Sequence, residues 1–263
     1  MANRADRARS FGAIAADYDR LRPGPPDEAV DWLLPAGAQV AVDLGAGTGL
    51  LTRALARKVP RVVAVEPDDR MRAVLRARSP GIDALAGRGE AIPLPDASAD
   101  GVFISSAWHW MDPERTLAEV TRVLRDGGRF GLIWTSRDTE TGWLREISLR
   151  ERSVRDGNGG HPRPRPVALP PDARLGTIMT RSFAFELTMT VDALVEMLGT
   201  YSGVITASPA DRLARLARAR AALDELFPGA GQIDVPMRAA CWRADRIPRS
   251  GTNQQVTVPV VRP

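Results

Sequence analysis

Between residues 40 and 134 the chain alternates short apolar runs with segments of helical spacing, and few folds accept that pattern. Val40–Leu44, Val62–Val65, Ile82–Ala86, Val102–Ile104 and Phe130–Trp134 read as strands. Leu51, Ala54 and Leu55 keep helical spacing between the first two. Asp68 or Asp69 is placed to cap a helix carrying Met71, Val74 and Leu75. Asp112-Pro113 opens another, with Leu117, Val120, Val123 and Leu124 on its apolar stripe, because proline suits a first helical turn. Asp126-Gly127-Gly128 is expected to end that helix. Strands that alternate with helices pair in parallel, and helices then cover both faces of the sheet. Strands this short and this apolar fit a sheet buried on both sides.

The flanks are less regular. Before the alternation, residues 10 to 34 read as helical, with a break at Pro23 to Pro26. After it, Gly142–Arg155 reads as a charged helix, Gly157–Pro171 as a proline-rich loop, and 142 to 171 together as a candidate lid. Phe183–Thr188 and Asp234–Ala244 alternate as strands around two helices, Val191–Leu198 and Asp211–Phe227. The second of these helices is expected to place Leu213, Leu216, Leu223 and Phe227 on one face and arginines on the other. The tail beyond Ile247 reads as an edge strand or a disordered end. With 263 residues, the expected organisation is one α/β core with additions: an N-terminal helical segment (1–39), a core (40–136), and a cap plus closing strands of the same sheet (137–263).

Composition removes several classes. Cys241 is the only cysteine, so neither an internal disulfide nor a cysteine zinc site is expected, and no metal site is read from the chain. The charged N-terminus lacks a signal-peptide core, and no run approaches a membrane span, so a soluble cytoplasmic protein is expected. Net charge is +4 with Lys58 the only lysine. Arginine keeps its charge to high pH, so the high isoelectric point follows from composition alone. The arginines are spread along the chain, which argues against a nucleic-acid partner; the oligomeric state is left open.

Val42-Asp43-Leu44-Gly45-Ala46-Gly47-Thr48-Gly49 joins the first strand to the first helix of the alternation. Glycines there allow a tight turn and a close approach of backbone to ligand. The spacing is G-x-G-x-G, not the G-x-G-x-x-G that cradles a pyrophosphate. Asp43, just before the first glycine, would repel a pyrophosphate and suit a ligand bearing an ammonium group. Glu66, at the end of the second strand, is placed to accept both hydroxyls of a ribose, a feature shared with dinucleotide binders.

VDLGAGTGLLT resembles the first motif of class I S-adenosylmethionine-dependent methyltransferases. VVAVEPDDRM resembles their second strand with its ribose-binding acid, GRGEAIPLPDASADGVFIS their adenine-side loop and fourth strand, and LAEVTRVLRDGGRFGLIW the entry to their fifth strand. The resemblance covers about residues 40 to 135 and implies a doubly wound, seven-stranded, mostly parallel Rossmann-like sheet with a helical cap. It implies S-adenosyl-L-methionine as cofactor. Gly45, Ala46, Gly47, Thr48 and Gly49 would pass its methionine part and Asp43 would serve its ammonium. Glu66 would hold the ribose, Pro67 and Met71 would pack on the adenine, and Gly89 and Glu90 would border it. Arg88 stands where many relatives have an acid. Ser105 would lie where the methyl faces the acceptor.

Trp108-His109-Trp110 resembles a pair found in the trans-aconitate methyltransferase-like subgroup. His109 would be a general base or orient a substrate carboxylate; the alternative is a backbone-bonded histidine with tryptophans walling the cofactor. Tyr18 and Arg22, in an N-terminal stretch similar to that subgroup's, would contact the cofactor carboxylate, and Trp108, Trp110 and Tyr201 would line the substrate pocket. His161 reads as an exposed bystander. The expected activity is methylation of a small molecule on oxygen, nitrogen or carbon. The rivals are a non-methylating reaction on the same fold, such as a cyclisation, and nucleic-acid methylation.

Overall fold

The structure, a computed structural model, describes residues 11–140, 142–150, 169–170, 172 and 174–248, without the side chains of 148–150. The expectations for His161, for most of the proline-rich loop and the lid, and for the tail beyond Pro248 fall outside these residues.

Seven strands form one sheet: β1 (Val40–Leu44), β2 (Arg61–Val65), β3 (Asp83–Leu85), β4 (Ala99–Ser105), β5 (Leu124–Arg137), β6 (Met179–Met189) and β7 (Ile233–Asp245). Their order is β3-β2-β1-β4-β5-β7-β6. The first five run parallel. β7 runs antiparallel between β5 and β6. The order reverses between β1 and β4, and in open α/β sheets ligands bind at the carboxyl ends of strands at such a switch point.

The helices are α1 (Ala15–Leu21), α2 (Asp27–Leu33), α3 (Leu50–Ala56), α4 (Asp69–Arg78), α5 (Pro113–Val123), α6 (Gly142–Arg150), α7 (Val191–Gly199), α8 (Ser202–Ile205) and α9 (Pro209–Leu226). Two apolar layers sandwich the parallel strands. One joins Val42, Val102 and Leu132 to the α5 stripe of Leu117, Val120 and Val123. The other joins Ala41, Phe103 and Ile133 to α2 and α3 through Leu33, Leu51 and Leu55. Successive strand residues point to opposite faces, so both halves of each apolar run find a partner layer. A third cluster stands apart: Leu144 and Ile147 of α6 pack with Leu194, Leu198, Ala222 and Leu223 of α7 and α9 and with Val235 of β7.

Met189 and Ile233 are register partners, so α7 to α9 fill the connection of an antiparallel pair at the carboxyl edge of the parallel strands. That connection forms a helical cap above the switch point.

Three local expectations need correction. α5 ends at Val123, before Asp126, because Leu124 pairs with Ala99 and begins β5. The Asp-Gly-Gly turn, with Gly127 at φ 74°, lies inside a register shift of the β4–β5 ladder. Leu213 is 73% exposed, off the buried stripe of α9 that holds Ala219, Ala222 and Leu223. Thr200-Tyr201-Ser202 reads in the sequence as the start of a loop, but Tyr201 caps the single turn α8.

Candidate active site

The β1–α3 loop is shaped by three left-handed glycines. Gly45, Gly47 and Gly49 have φ of 72°, 56° and 90°, a region that penalises any side chain. Each has a different neighbour. A Cβ on Gly45 would sit 2.8 Å from Cβ of Ala107, and one on Gly49 2.9 Å from Cγ of Leu75. A Cβ on Gly47 would meet nothing within 4 Å. The loop is pinned from below by amides of Gly45 and Ala46, which donate to the Val65 carbonyl at 2.8 and 3.1 Å.

Glu66 follows β2 and is 7% exposed. Its Oε2 accepts from the Gly47 amide at 2.8 Å and its Oε1 from the Asp68 amide at 2.8 Å. Burial raises its pKa, and the two amide bonds oppose that shift. A carboxylate has about four lone-pair sites, so each oxygen keeps one for a further donor. Asp68 caps α4, accepting from the amides of Arg70 and Met71.

These elements border a cleft of about 1050 Å³ at the switch point. Tyr18, Gly45, Ala46, Gly47, Thr48, Glu66, Pro67, Met71, Gly89, Glu90, Ser105 and Trp110 all line it. Gly89 is pressed against Thr116, where a Cβ would come within 2.6 Å of the hydroxyl. Glu90 accepts from the Asp112 amide at 2.7 Å and so ties its loop to the start of α5. Reasoning from sequence missed Arg70, Ala107 and Met111, which also line the cleft, as does Ser106, read with Ser105 at the end of the fourth strand. Ser106, with φ 54°, carries a left-handed turn that no glycine signals.

Six expected site residues stand elsewhere. Asp43 is wholly buried behind the loop, where the Thr52 hydroxyl donates to its Oδ2 at 2.6 Å. Desolvation pushes its carboxyl up to about 7, and its Oδ1 has no hydrogen-bond partner among the described residues. Gly49 is buried under Leu75 as the cap of α3. Trp108 is 5% exposed and packs on Phe130 with ring centroids 5.8 Å apart, so it belongs to the core. His109 is exposed beside the cleft, its ring 4.4 Å from Trp110 and 6.1 Å from Trp134. Neither Arg22 nor Tyr201 lines the cleft. Arg22 donates to the hydroxyl and carbonyl of Thr200 at 2.9 and 3.3 Å, and its guanidinium lies 3.5 Å from the Tyr201 ring centre.

The aromatic contacts form a circuit. From Trp134 of β5 it runs through His109 and Trp110 to Phe11 and Tyr18, each step a ring pair with centroids 4.4–6.1 Å apart. From Tyr18 it continues through Arg22 and Tyr201 to Arg137, back on β5. The N-terminal α1 is thereby tied to both halves. Asp19 pairs with Arg53 of α3 at 2.6 Å and with Arg78 of α4 at 3.4 Å, while Arg20 pairs with Glu196 of α7 at 2.8 Å.

Known proteins resemble this chain in sequence and fold. The family model described as "Methyltransferase domain" matches residues 42–132. An uncharacterized methyltransferase of Mycobacterium tuberculosis is 41% identical over 244 residues, covering 92% of this chain and 98% of the relative. An uncharacterized methyltransferase-like protein of Schizosaccharomyces pombe is 31% identical, covering 77% and 80%. A solved structure from Anaeromyxobacter dehalogenans, with a provisional type II methyltransferase designation, has a TM-score of 0.62 at 26% identity, covering 87% and 99%. The chain therefore belongs to the methyltransferase-domain family. Its sheet is the Rossmann-like sheet of that class. No helix among the described residues is long and apolar enough to cross a membrane, and these residues hold no cluster of three or more groups fit for a metal ion.

Proposed function

We propose that the chain transfers the methyl group of S-adenosyl-L-methionine to a small-molecule acceptor, on oxygen, nitrogen or carbon. One observation carries this reading. Glu66 stands beside the open backbone of Gly47 with each carboxylate oxygen already held by one amide and each able to accept one more hydroxyl, the requirement of a ribose diol. The cleft is large enough for an adenosyl ligand with an amino-acid tail. Met71, 6% exposed, offers an apolar wall for an adenine, and Gly89 and Glu90 border the same end.

The cofactor supplies a methyl group already activated by a positive sulfur. What remains for the chain is alignment and exclusion of water. The Gly45–Gly47 backbone positions the amino-acid tail, Ser105 marks the carboxyl end of β4 where the acceptor approaches, and Tyr18 and Trp110 wall the mouth. Where the acceptor must lose a proton, His109 on the rim takes it up. Asp43 acts from behind the loop through Thr52 and not on the ligand directly.

The test is calorimetric titration with S-adenosylmethionine and S-adenosylhomocysteine, beside Glu66→Ala. Saturable binding of both is expected, weakened about 100-fold in the variant, since two bonds to a charged group are lost. A folded wild-type protein that takes up neither compound overturns the reading.

A further inference from the structure

The order of the loops along the sheet fixes which part of an adenosyl ligand each one meets. At the carboxyl edge the cleft is bordered in turn by residues 105–107 after β4, the glycine turn after β1, Glu66 after β2 and residues 86–90 after β3. With the amino-acid tail at Gly45, Ala46 and Gly47 and the ribose at Glu66, the base falls to the β3 loop. That loop is held hard on both sides. A Cβ on Gly87 would come within 2.6 Å of Pro93 and 2.8 Å of Val65. One on Gly89 would come within 2.6 Å of the Thr116 hydroxyl and 2.9 Å of the Met111 sulfur. Arg88 stands between these two packed glycines, and its carbonyl accepts from the Ala91 amide at 3.1 Å.

Among the described residues two arginines line the cleft, Arg70 and Arg88. Arg70 pairs with Asp68 at 3.0 Å. The Arg88 side chain is exposed and makes no hydrogen bond and no ion pair among the described residues. Each acid at this end has a partner of its own. Asp68 caps α4 and holds Arg70, Asp69 pairs with Arg72, and Glu90 accepts from the Asp112 amide. A guanidinium has donors only and no acceptor. Against the edge of a purine it can bond ring nitrogens or a 6-oxo oxygen, and it offers nothing to a 6-amino group. With N7 and O6 of a 6-oxopurine its fork makes a bidentate match. We infer that Arg88 reads the base of the cofactor as an acceptor edge, so that the cleft takes an inosyl ligand as readily as an adenosyl one, an inference that rests on the methyl-donor reading of the cleft. Arg88, and not an acid, is then the specificity-determining residue at the base.

S-adenosylhomocysteine and S-inosylhomocysteine are the probes, since they differ only in the group at position 6 and the proton N1 carries with it. Calorimetric titration of the full chain gives the ratio of their dissociation constants, which a uniform loss of affinity does not move. The wild type is expected to bind the two within about threefold. Arg88→Glu replaces donors by acceptors and is expected to favour the adenosyl compound by about tenfold, the scale of one base contact. Arg88→Gln, which both donates and accepts, is expected to fall between. Glu90→Gln is expected to leave the ratio within about twofold, since its carboxylate serves the Asp112 amide. A wild type that prefers the adenosyl compound beyond about threefold, or a ratio that both Arg88 variants leave unchanged, overturns the assignment. So does a ratio that moves with Glu90→Gln instead. In each of those cases the adenosyl compound still binds and the methyl-donor reading stands. A folded wild type that takes up neither compound overturns both.

Discussion

The two halves of the sheet are held by different means. β1, β2 and β4 are short and apolar on both faces, and every residue of Ala41–Leu44 and Val62–Val65 is buried. β6 is longer, with eleven residues, and its first four are exposed. It keeps its place through eleven register pairs with β7. Burial against helices on both faces fixes the parallel half, while an antiparallel ladder fixes the other. The candidate site repeats the contrast. The glycine-loop side is made largely of backbone: three left-handed glycines and two amides fixed by one carboxylate. Under the cap, long side chains from three separate segments meet at Tyr201. A backbone site tolerates almost no substitution at its turns, and a side-chain site tolerates many away from its contacts.

Gly49→Val tests the first half of that contrast hardest. It places a branched side chain in a left-handed conformation, with its Cβ 2.9 Å from Leu75. Strain and overpacking together should cost about 5 kcal/mol, seen as loss of the cooperative unfolding transition. Gly47→Ala, with open space in front of it, should cost only about 1–2 kcal/mol of strain and still abolish cofactor binding in calorimetry. If both variants unfold alike, the separation between packed and ligand-facing glycines fails.

Asp43→Asn comes next. The Asp43 carboxyl is raised by burial from 3.8 to about 7, so the folded state holds a proton that the unfolded chain has lost. Its contribution is present below about pH 4, falls as pH rises through that window, and is gone above about 7. At about 1.4 kcal/mol per unit the span is on the order of 4 kcal/mol. Glu66, raised by burial as well, acts in the same direction. Denaturant melts of wild type and variant between these limits should show a downward slope that Asp43→Asn largely removes. An unchanged slope would mean that the cofactor half is not the pH-sensitive one.

The smallest effect belongs to the cap. Leu213→Ser, at a position 73% exposed, should change stability by no more than about 0.5 kcal/mol. A loss near the 3 kcal/mol typical of a core leucine would show that α9 buries this residue against something, and the tolerance claimed for the cap would be wrong.

The same difference decides what could be read from the chain beforehand. The glycine turns and Glu66 are local: their spacing along one strand-loop-helix unit and the next strand end already states the geometry. The alternation of apolar runs likewise led to five parallel strands, and the resemblance to methyltransferases to seven in all, mostly parallel, which the structure has. Asp43 was legible as an acid but not as a buried one, since only the packing of Thr52 beside it shows where it points. Trp108 was legible as an aromatic near the mouth, yet neighbours in sequence face opposite ways, and it is Trp110 that lines the cleft. Arg22, Arg137 and Tyr201 come from α1, β5 and the α7–α8 junction, and no local pattern brings such distant positions together.

The cap sits inside the connection between Met189 and Ile233, whose pairing holds the two ends of that excursion at ladder distance. The entropy of closing such a loop grows only logarithmically, so doubling its length costs about 0.6 kcal/mol. Helices above the sheet can therefore be lengthened, shortened or exchanged without moving a single register in the strands that carry the glycine turns. The fold separates a part that must stay constant from a part that is free to drift.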